Sequence, residues 1–448
     1  MRTLLTHGYF LHQDAKEREI MKPYPPLGIL YLSAHLRRHG FEPEIYDSTF
    51  GSREDLNRVL HDGAPGIMGV YGTLMRCRSV LDISATARDT GWKTIAGGPE
   101  PANYPAQYLA AGADVIVAGE AELALEGLLR AAMDPVKFAS IPGIIFLAPD
   151  GSVARTAPAA LISDLDAQPW PDRERIDIDR YLAAWRARHG KGSVSLITAR
   201  GCPYHCNWCS HSVYGKTHRR RSPHGVVDEV EWIAKRYAPD MLWLADDVFT
   251  IHHGWLYEYA AEIRRRGLRI PFECITRADR VNPKIAETLA DLGCFRVWIG
   301  SESGSQRILD AMERGVTVQQ VRSAVALCKQ NGIQTGMFLM WGFDGEEIED
   351  IEATVDHVKQ CRPDIYFTTV SYPIKGTPYF DRVAPRLVSL AGWEQSTDRD
   401  FRVSGRHSSA FYRHADELLR SEMASDPDPG RIHAAREALR QTRAEVEA

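Results

Sequence analysis

The chain has no run of apolar residues approaching the roughly 20 that a membrane span needs. Its opening stretch, Met1-Arg2-Thr3-Leu4-Leu5-Thr6-His7, lacks the long apolar core of a signal peptide. Both absences point to a cytoplasmic chain with no membrane span. Positive charge is not in excess: 54 Lys and Arg stand against 59 Asp and Glu, a net charge of −5, with a pI near 6.4. That removes any global electrostatic case for nucleic acid or an anionic membrane as a partner. Cysteine is scarce, eight in 448 residues. Five of them (Cys77, Cys274, Cys294, Cys328 and Cys361) are scattered through apolar or helical contexts and read as buried free thiols, which suits a reducing compartment. No catalytic triad signature is visible. With 44% hydrophobic and 25% charged residues, the composition is that of an ordinary globular protein, long enough for two or three cored domains.

The other three cysteines are concentrated. They lie in Arg200-Gly201-Cys202-Pro203-Tyr204-His205-Cys206-Asn207-Trp208-Cys209, spaced C-x₃-C-x₂-C, directly after the strand-like run Val194–Thr198. A loop at the carboxyl end of a strand is where α/β folds carry chemistry. Three thiolates at this pitch can close around one 4Fe–4S cubane, leaving its fourth iron without a protein ligand, and an open position marks a catalytic site. Zinc held with His205 or His211 is the alternative, although zinc sites usually come as two ligand pairs and no second pair lies nearby. A disulfide is the third possibility.

The remainder reads as an α/β chain. Up to about residue 135, strands at Thr3–His7, Glu42–Tyr46, Gly66–Val70, Lys93–Ala96 and Asp114–Val117 alternate with helices such as Gly28–His39, Met75–Arg88 and Ala121–Ala132, which predicts a doubly wound parallel, Rossmann-like sheet. Ligands of such sheets lie at the carboxyl ends of the strands. Those ends are Tyr71-Gly72-Thr73, Gly97-Gly98-Pro99 and Gly119-Glu120, where glycine lets backbone approach a ligand or simply makes a tight turn. Residues 136–190 read as a linker with a small hairpin around Ile144–Phe146 and a Pro-rich stretch near Trp170. From 191 to 390 six more strands, Val194–Thr198, Met241–Ala245, Phe272–Thr276, Arg296–Gly300, Gln334–Met340 and Ile365–Val370, alternate with helices. That is two units short of a closed eight-strand barrel and predicts a (β/α)₆ partial TIM barrel. Residues 391–448 read as a charged helical C-terminal appendix.

The cysteine loop, with Trp208 before its third cysteine, resembles the signature of the radical S-adenosylmethionine (SAM) enzymes. The first segment, with Pro25–Leu32, Ala96-Gly97-Gly98-Pro99 and Asp114–Glu120, resembles the cobalamin-binding domain fused to many of them. The resemblance implies that SAM chelates the open iron and is cleaved to a 5′-deoxyadenosyl radical. It implies cobalamin contacts at Tyr71, Gly72, Thr73, Gly97, Gly98, Gly119 and Glu120, and an external flavodoxin- or ferredoxin-type electron donor. The D-x-H-x-x-G cobalt-ligand motif is absent: the matching region is Gly8-Tyr9-Phe10-Leu11-His12-Gln13-Asp14. No histidine is therefore expected below the cobalt, and a domain that holds no cofactor is the alternative. Trp298–Gly304 resembles a G-x-E-S-G stretch of the same enzymes.

On a parallel barrel, polar groups at strand ends face the site. Tyr204, Trp208, Asp246, Asp247, Arg277, Ser301 and Glu302 are thus expected around SAM. The competing structural roles are a helix cap for Asp246-Asp247 and a rim ion pair between Glu302 and Arg277. The basic run His218–Arg221 reads as a solvated face or a guide for an anionic substrate. Together these features predict a cobalamin-dependent radical SAM enzyme that methylates an unactivated carbon of a small-molecule substrate. A radical cyclase, oxidase or rearranging enzyme of the same build is the alternative, and a noncatalytic metal-binding protein the third reading.

Overall fold

The computed structural model describes residues 2–389 and 401–445; Met1, residue 390 at the end of the expected barrel segment, and residues 391–400 and 446–448 of the expected appendix lie outside these. A seven-stranded sheet forms first, from β1 (Thr3–His7), β2 (Glu44–Tyr46), β3 (Ile67–Tyr71), β4 (Lys93–Gly97), β5 (Val115–Val117), β6 (Ile144–Leu147) and β7 (Val153–Arg155), in the order β2-β1-β3-β4-β5-β6-β7. The first five strands are parallel, as the strand–helix alternation predicts. The expected linker is not a free connector. Its hairpin β6–β7 adds to the sheet edge antiparallel to β5, so the apolar side chains of Ile144 and Ile145 are buried in that domain's cores.

The linker also contains a helix, Ile178–His189, that the sequence pattern did not single out. It docks between the two halves: Tyr181 donates to Asp47 at 2.8 Å and the Trp185 indole to the Pro23 carbonyl at 2.7 Å. Just before it, the fully buried guanidinium of Arg173 donates to Glu229 at 2.5 Å and to the Ser195 carbonyl at 2.9 Å. The chain leaving the first domain is thus pinned onto the second by a buried charge pair, which tolerates little displacement because either partner alone would be an uncompensated charge.

The second half contains β8 (Ser193–Leu196), the two-residue strands β9 (Ala199–Arg200) and β10 (Arg219–Arg220), and then β11 (Met241–Leu244), β12 (Phe272–Thr276), β13 (Cys294–Glu302), β14 (Gln334–Trp341) and β15 (Ile365–Val370). The six long strands are all parallel, in the order β15-β14-β13-β12-β11-β8. Helices on the outside, capped by Ser222, Asn282 and Thr317 at their starts, bury one apolar face each against the strands in a single large core. The short pair β9–β10 is antiparallel and clasps the cysteine loop at its base. Two terminal helices, Ser409–Glu422 and Pro429–Gln441, pack on the barrel's outer helices.

Candidate functional site

Two cavities lie side by side where the halves meet. One, of about 390 Å³, is lined by Cys202, Cys206 and Cys209 together with Asp247, Glu302 and Arg314. The other, of about 250 Å³, lies at the carboxyl ends of β3, β4 and β5 and is bordered by Tyr71, Gly97, Gly98 and Gly119. Val213 and Tyr214, just beyond the cysteine loop, line both.

The cysteine cavity is built by the loop leaving β9. Gly201 has φ of +85°, and a side chain there would press on Thr217 at the end of the clasp. Asn207 fixes the middle of the loop: its amide nitrogen bonds the Ala311 carbonyl at 2.8 Å, its backbone N–H the Met312 carbonyl at 3.1 Å, and its carbonyl accepts from Tyr379 at 2.9 Å. The guanidinium groups of Arg277 and Arg314 reach the Cys206 sulfur at 3.7 and 3.5 Å. Two cations beside one sulfur offset the negative charge that thiolate ligation places there. Burial pushes the Cys209 thiol up to about 12 and also raises Cys202, with the neighbouring sulfurs adding to both; ligation must therefore release protons.

Among the described residues, His35, His39 and Glu126 form the one set of three metal-type side chains whose ligand atoms all lie within 4.8 Å of one another. The three loop sulfurs are spread more widely. Ligands of a single tetrahedral zinc, at Zn–S of about 2.3 Å, stand less than about 4 Å apart, so the loop sulfurs are not gathered for one zinc ion. His211, one of the expected zinc partners, donates from Nδ1 to the Cys209 carbonyl at 3.1 Å, and His205 is exposed.

Glu302 is held by its backbone. It has φ of +61°, and the β13–β14 register shifts between Gly300 and Glu302; such bulges re-aim a side chain next to a site. A Cβ on Gly300 would lie 2.7 Å from the Glu302 carboxylate and would also press on the Arg314 guanidinium. Glycine therefore makes room for a buried Arg314–Glu302 pair at 3.8 Å. Burial raises the Glu302 carboxyl, opposed by Arg314 and then Arg277. The ion-pair partner expected from sequence was Arg277. Instead Arg277 is engaged by Asp279 at 2.9 Å and the Arg314 carbonyl at 2.8 Å, and it lies 3.6 Å over the Tyr204 ring.

The other expected SAM contacts divide. Asp247 faces into the cavity, its carboxyl raised by confinement and by Asp246. Trp208 also lines it, with its buried indole nitrogen unpartnered, as is Nε2 of His211; orphaned polar atoms on a cavity wall fit a bound polar ligand. Asp246 turns away. It accepts from the backbone of Thr198 at 2.7 Å and Ala199 at 3.1 Å, and from Arg220 at 3.1 Å. Ser301 points outward to His357 at 3.1 Å. Tyr204 does not line the cavity; its hydroxyl meets Arg280.

In the second cavity, Gly69 is the residue the sequence did not single out. A Cβ there would stand 2.8 Å from Leu5, so glycine keeps an apolar slot open between Leu5, Ile95 and Val117. Gly98 has φ of +109°, and a side chain there would strike the Gly72 carbonyl and the Tyr71 ring. Glycines lining an apolar slot fit an extended cofactor tail lying close to backbone. Gly72 is used in the turn, donating to the Gly97 carbonyl at 2.7 Å, and Thr73 faces a different cavity, where the first domain meets the barrel. The Glu120 carboxylate accepts from Arg200 and Arg219, each at 2.8 Å, and from the Ile162 N–H at 2.8 Å, a junction between the halves. His7 has both ring nitrogens engaged, by Asp47 at 3.1 Å and the Tyr9 N–H at 3.2 Å, and His12 is exposed.

The basic run is neither solvated nor a guide. Arg219, Arg220 and Arg221 each take a different buried carboxylate: Glu120, Asp246 and Glu229.

A fold of this kind, with a three-cysteine loop over one barrel end and a glycine-lined slot opposite it, defines a radical SAM protein joined to a cobalamin-binding domain. Family models agree: residues 18–129 match the B12 binding domain and residues 196–358 the radical SAM superfamily, together more than half of the chain. The chain belongs to the cobalamin-binding radical SAM enzymes, whose cofactors are a 4Fe–4S cluster, SAM and cobalamin. It is 28% identical over 400 residues to an uncharacterized methyltransferase of Pyrococcus horikoshii, covering 87% of this chain and 85% of that one. It is 27% identical over 379 residues to the anaerobic magnesium-protoporphyrin IX monomethyl ester cyclase of Rubrivivax gelatinosus, covering 82% and 67%. In three dimensions it is similar to the radical SAM methyltransferase TsrM of Kitasatospora setae, solved with cobalamin and a 4Fe–4S cluster, with a TM-score of 0.71, 23% identity, and coverage of 89% and 78%. No described helix is long and apolar enough to cross a membrane.

Proposed function

We propose that this enzyme transfers a methyl group to an unactivated carbon of a small molecule. The observation that carries the reading is the common wall of Val213 and Tyr214 between the cysteine cavity and the glycine slot. Two cavities that share a wall two residues wide support a reading in which one substrate carbon is addressed from both. When bound, the cofactors supply a radical that abstracts hydrogen and a methyl group to replace it.

The chain's own residues bind, orient and shield. Cys202, Cys206 and Cys209 hold the cluster, and Arg277 and Arg314 neutralise its charge on the buried side. Glu302, fixed by the bulge and by Arg314, and Asp247 face the cavity as acceptors for the ammonium or ribose hydroxyls of SAM. Gly69, Gly97, Gly98 and Gly119 let the corrin's tail lie along backbone. The halves are held in fixed relation by the Arg173–Glu229 and Arg200–Glu120 pairs, and radical chemistry gains from an oriented site. An external one-electron donor of flavodoxin or ferredoxin type completes the cycle.

Turnover of the reconstituted enzyme with deuterated-methyl SAM tests the proposal. Labelled methyl should enter the product while 5′-deoxyadenosine accumulates. A product lacking the label while deoxyadenosine still forms would replace methyl transfer with a radical cyclisation, oxidation or rearrangement.

A further inference from the structure

A third cavity, of about 940 Å³, lies where the inner wall of the barrel faces the first domain and the linker helix, whose Tyr9, Glu17, Glu19, Arg76 and Arg188 also line it. Five consecutive strands each contribute one inward side chain to it: Trp243 from β11, Glu273 from β12, Trp298 from β13, Phe338 from β14 and Phe367 from β15. Phe338 also lines the cysteine cavity, so the two spaces meet at that ring.

Three of these rings lie with their planes nearly parallel and make up the aromatic floor. Trp298 stacks on Phe338 at 5.3 Å and 14°, and on Phe367 at 5.4 Å and 10°. The floor is fixed from both sides. Trp298 donates its indole N–H to Glu273 at 3.0 Å, and Arg296 holds the same carboxylate at 3.2 Å. Beneath the indole, Gly336 is the β14 residue paired with Trp298, and a Cβ there would overlap the ring. Glycine at that position is what lets the indole lie flat. Phe367 is 53% exposed, an aromatic face open to the cavity. On the first-domain wall, Lys22 is half-buried and among the described residues makes no hydrogen bond or ion pair; its ammonium lies 5.5 Å from the Trp185 ring and feels the Glu273 carboxylate on the same cavity.

A stacked aromatic platform favours a flat π-face, and pockets of this size select ligands by apolar walls with a few placed polar groups. We infer that this cavity binds the substrate as a planar conjugated ring system laid on Trp298, Phe338 and Phe367, with an anionic substituent directed to Lys22. This rests on the proposed reaction site only through Phe338, which joins this cavity to the cysteine cavity, and not on the outcome of the chemistry.

The test is equilibrium dialysis of the full-length holoenzyme, cluster and cobalamin loaded so that the glycine slot is filled, against 1-pyrenebutyrate, uncharged 1-pyrenemethanol and laurate. Pyrenebutyrate should bind at one equivalent and at least about tenfold more tightly than laurate. Phe367→Ala, at a half-exposed position that leaves the core intact, should weaken both pyrenes by about tenfold, and Gly336→Val by more. Lys22→Met should weaken pyrenebutyrate roughly fivefold and leave pyrenemethanol unchanged. Laurate binding as tightly as pyrenebutyrate, indifference to Phe367→Ala, or equal loss of both pyrenes in Lys22→Met would each overturn the inference. Pyrene binding with this pattern in an enzyme that fails the labelled-methyl test would leave the ring site standing and remove only methyl transfer.

Discussion

Glu302 occupies a left-handed backbone conformation that non-glycine residues adopt at a cost of about 1–3 kcal/mol. The surrounding packing sustains it: Gly300 leaves room for Arg314, and Gly304 packs against the helix Ile348–Cys361 so closely that a Cβ would collide with the Ala353 carbonyl and lie 2.6 Å from His357. Glu302→Gln keeps the shape and removes the charge. It should leave the iron content of the protein unchanged and lower SAM cleavage by about tenfold or more, assayed as deoxyadenosine formed. A second residue gives a pH signature. Burial raises the Glu346 carboxyl from its ordinary 4.5 to about 8. The unfolded chain gives up this proton near 4.5 while the folded chain keeps it to about 8, so stability falls as pH rises through that window and levels off above it. Glu346→Gln removes the penalty: its melting temperature should match the parent near about pH 5 and exceed it by several degrees near about pH 9. The strand-end carboxylate Glu302 was readable because it closes a strand in a G-x-E-S-G stretch. Arg314 was not, because it lies between two helices in Glu313-Arg314-Gly315, and only the packing of that turn brings it to the Cys206 sulfur.

At the level of elements, the parallel strands were readable because each is a short apolar run closed by a turn signal, and Phe272–Thr276 and Ile365–Val370 fall where the pattern puts them. The hairpin was seen, but its attachment was not. A strand's partner depends on which sheet edge is open in three dimensions, and nothing local in Ile144–Leu147 names β5. The arginine run misled for the same reason: consecutive charges look solvated until β10 threads them between three buried carboxylates. The turn after β4 offers a direct check. Gly98→Ala would force an L side chain to a φ of +109° against the Gly72 carbonyl, destabilising by at least about 1 kcal/mol. Cobalamin retained after gel filtration should fall severalfold while the visible absorption of the cluster is unchanged. Conversely, Cys206→Ala should abolish that absorption and leave cobalamin uptake near the parent value.

For the molecule as a whole, the junction between the halves depends on a few charges removed from water. Glu120→Ala would leave Arg200 and Arg219 facing each other's charge without their shared carboxylate, although Arg200 keeps Glu122 at 2.7 Å. Breaking a buried pair of this kind costs roughly 3–5 kcal/mol. Amide hydrogen exchange in β9, β10 and the segment around Ile162 should accelerate while β12–β14 stay protected; unchanged exchange at the junction would show that apolar packing alone holds the halves. Val213 and Tyr214 carry one more implication. A partition two side chains wide makes its two chambers mutually dependent in volume: whatever swells one must indent the other. A change of bulk at Val213 or Tyr214 therefore reshapes both chambers in one stroke.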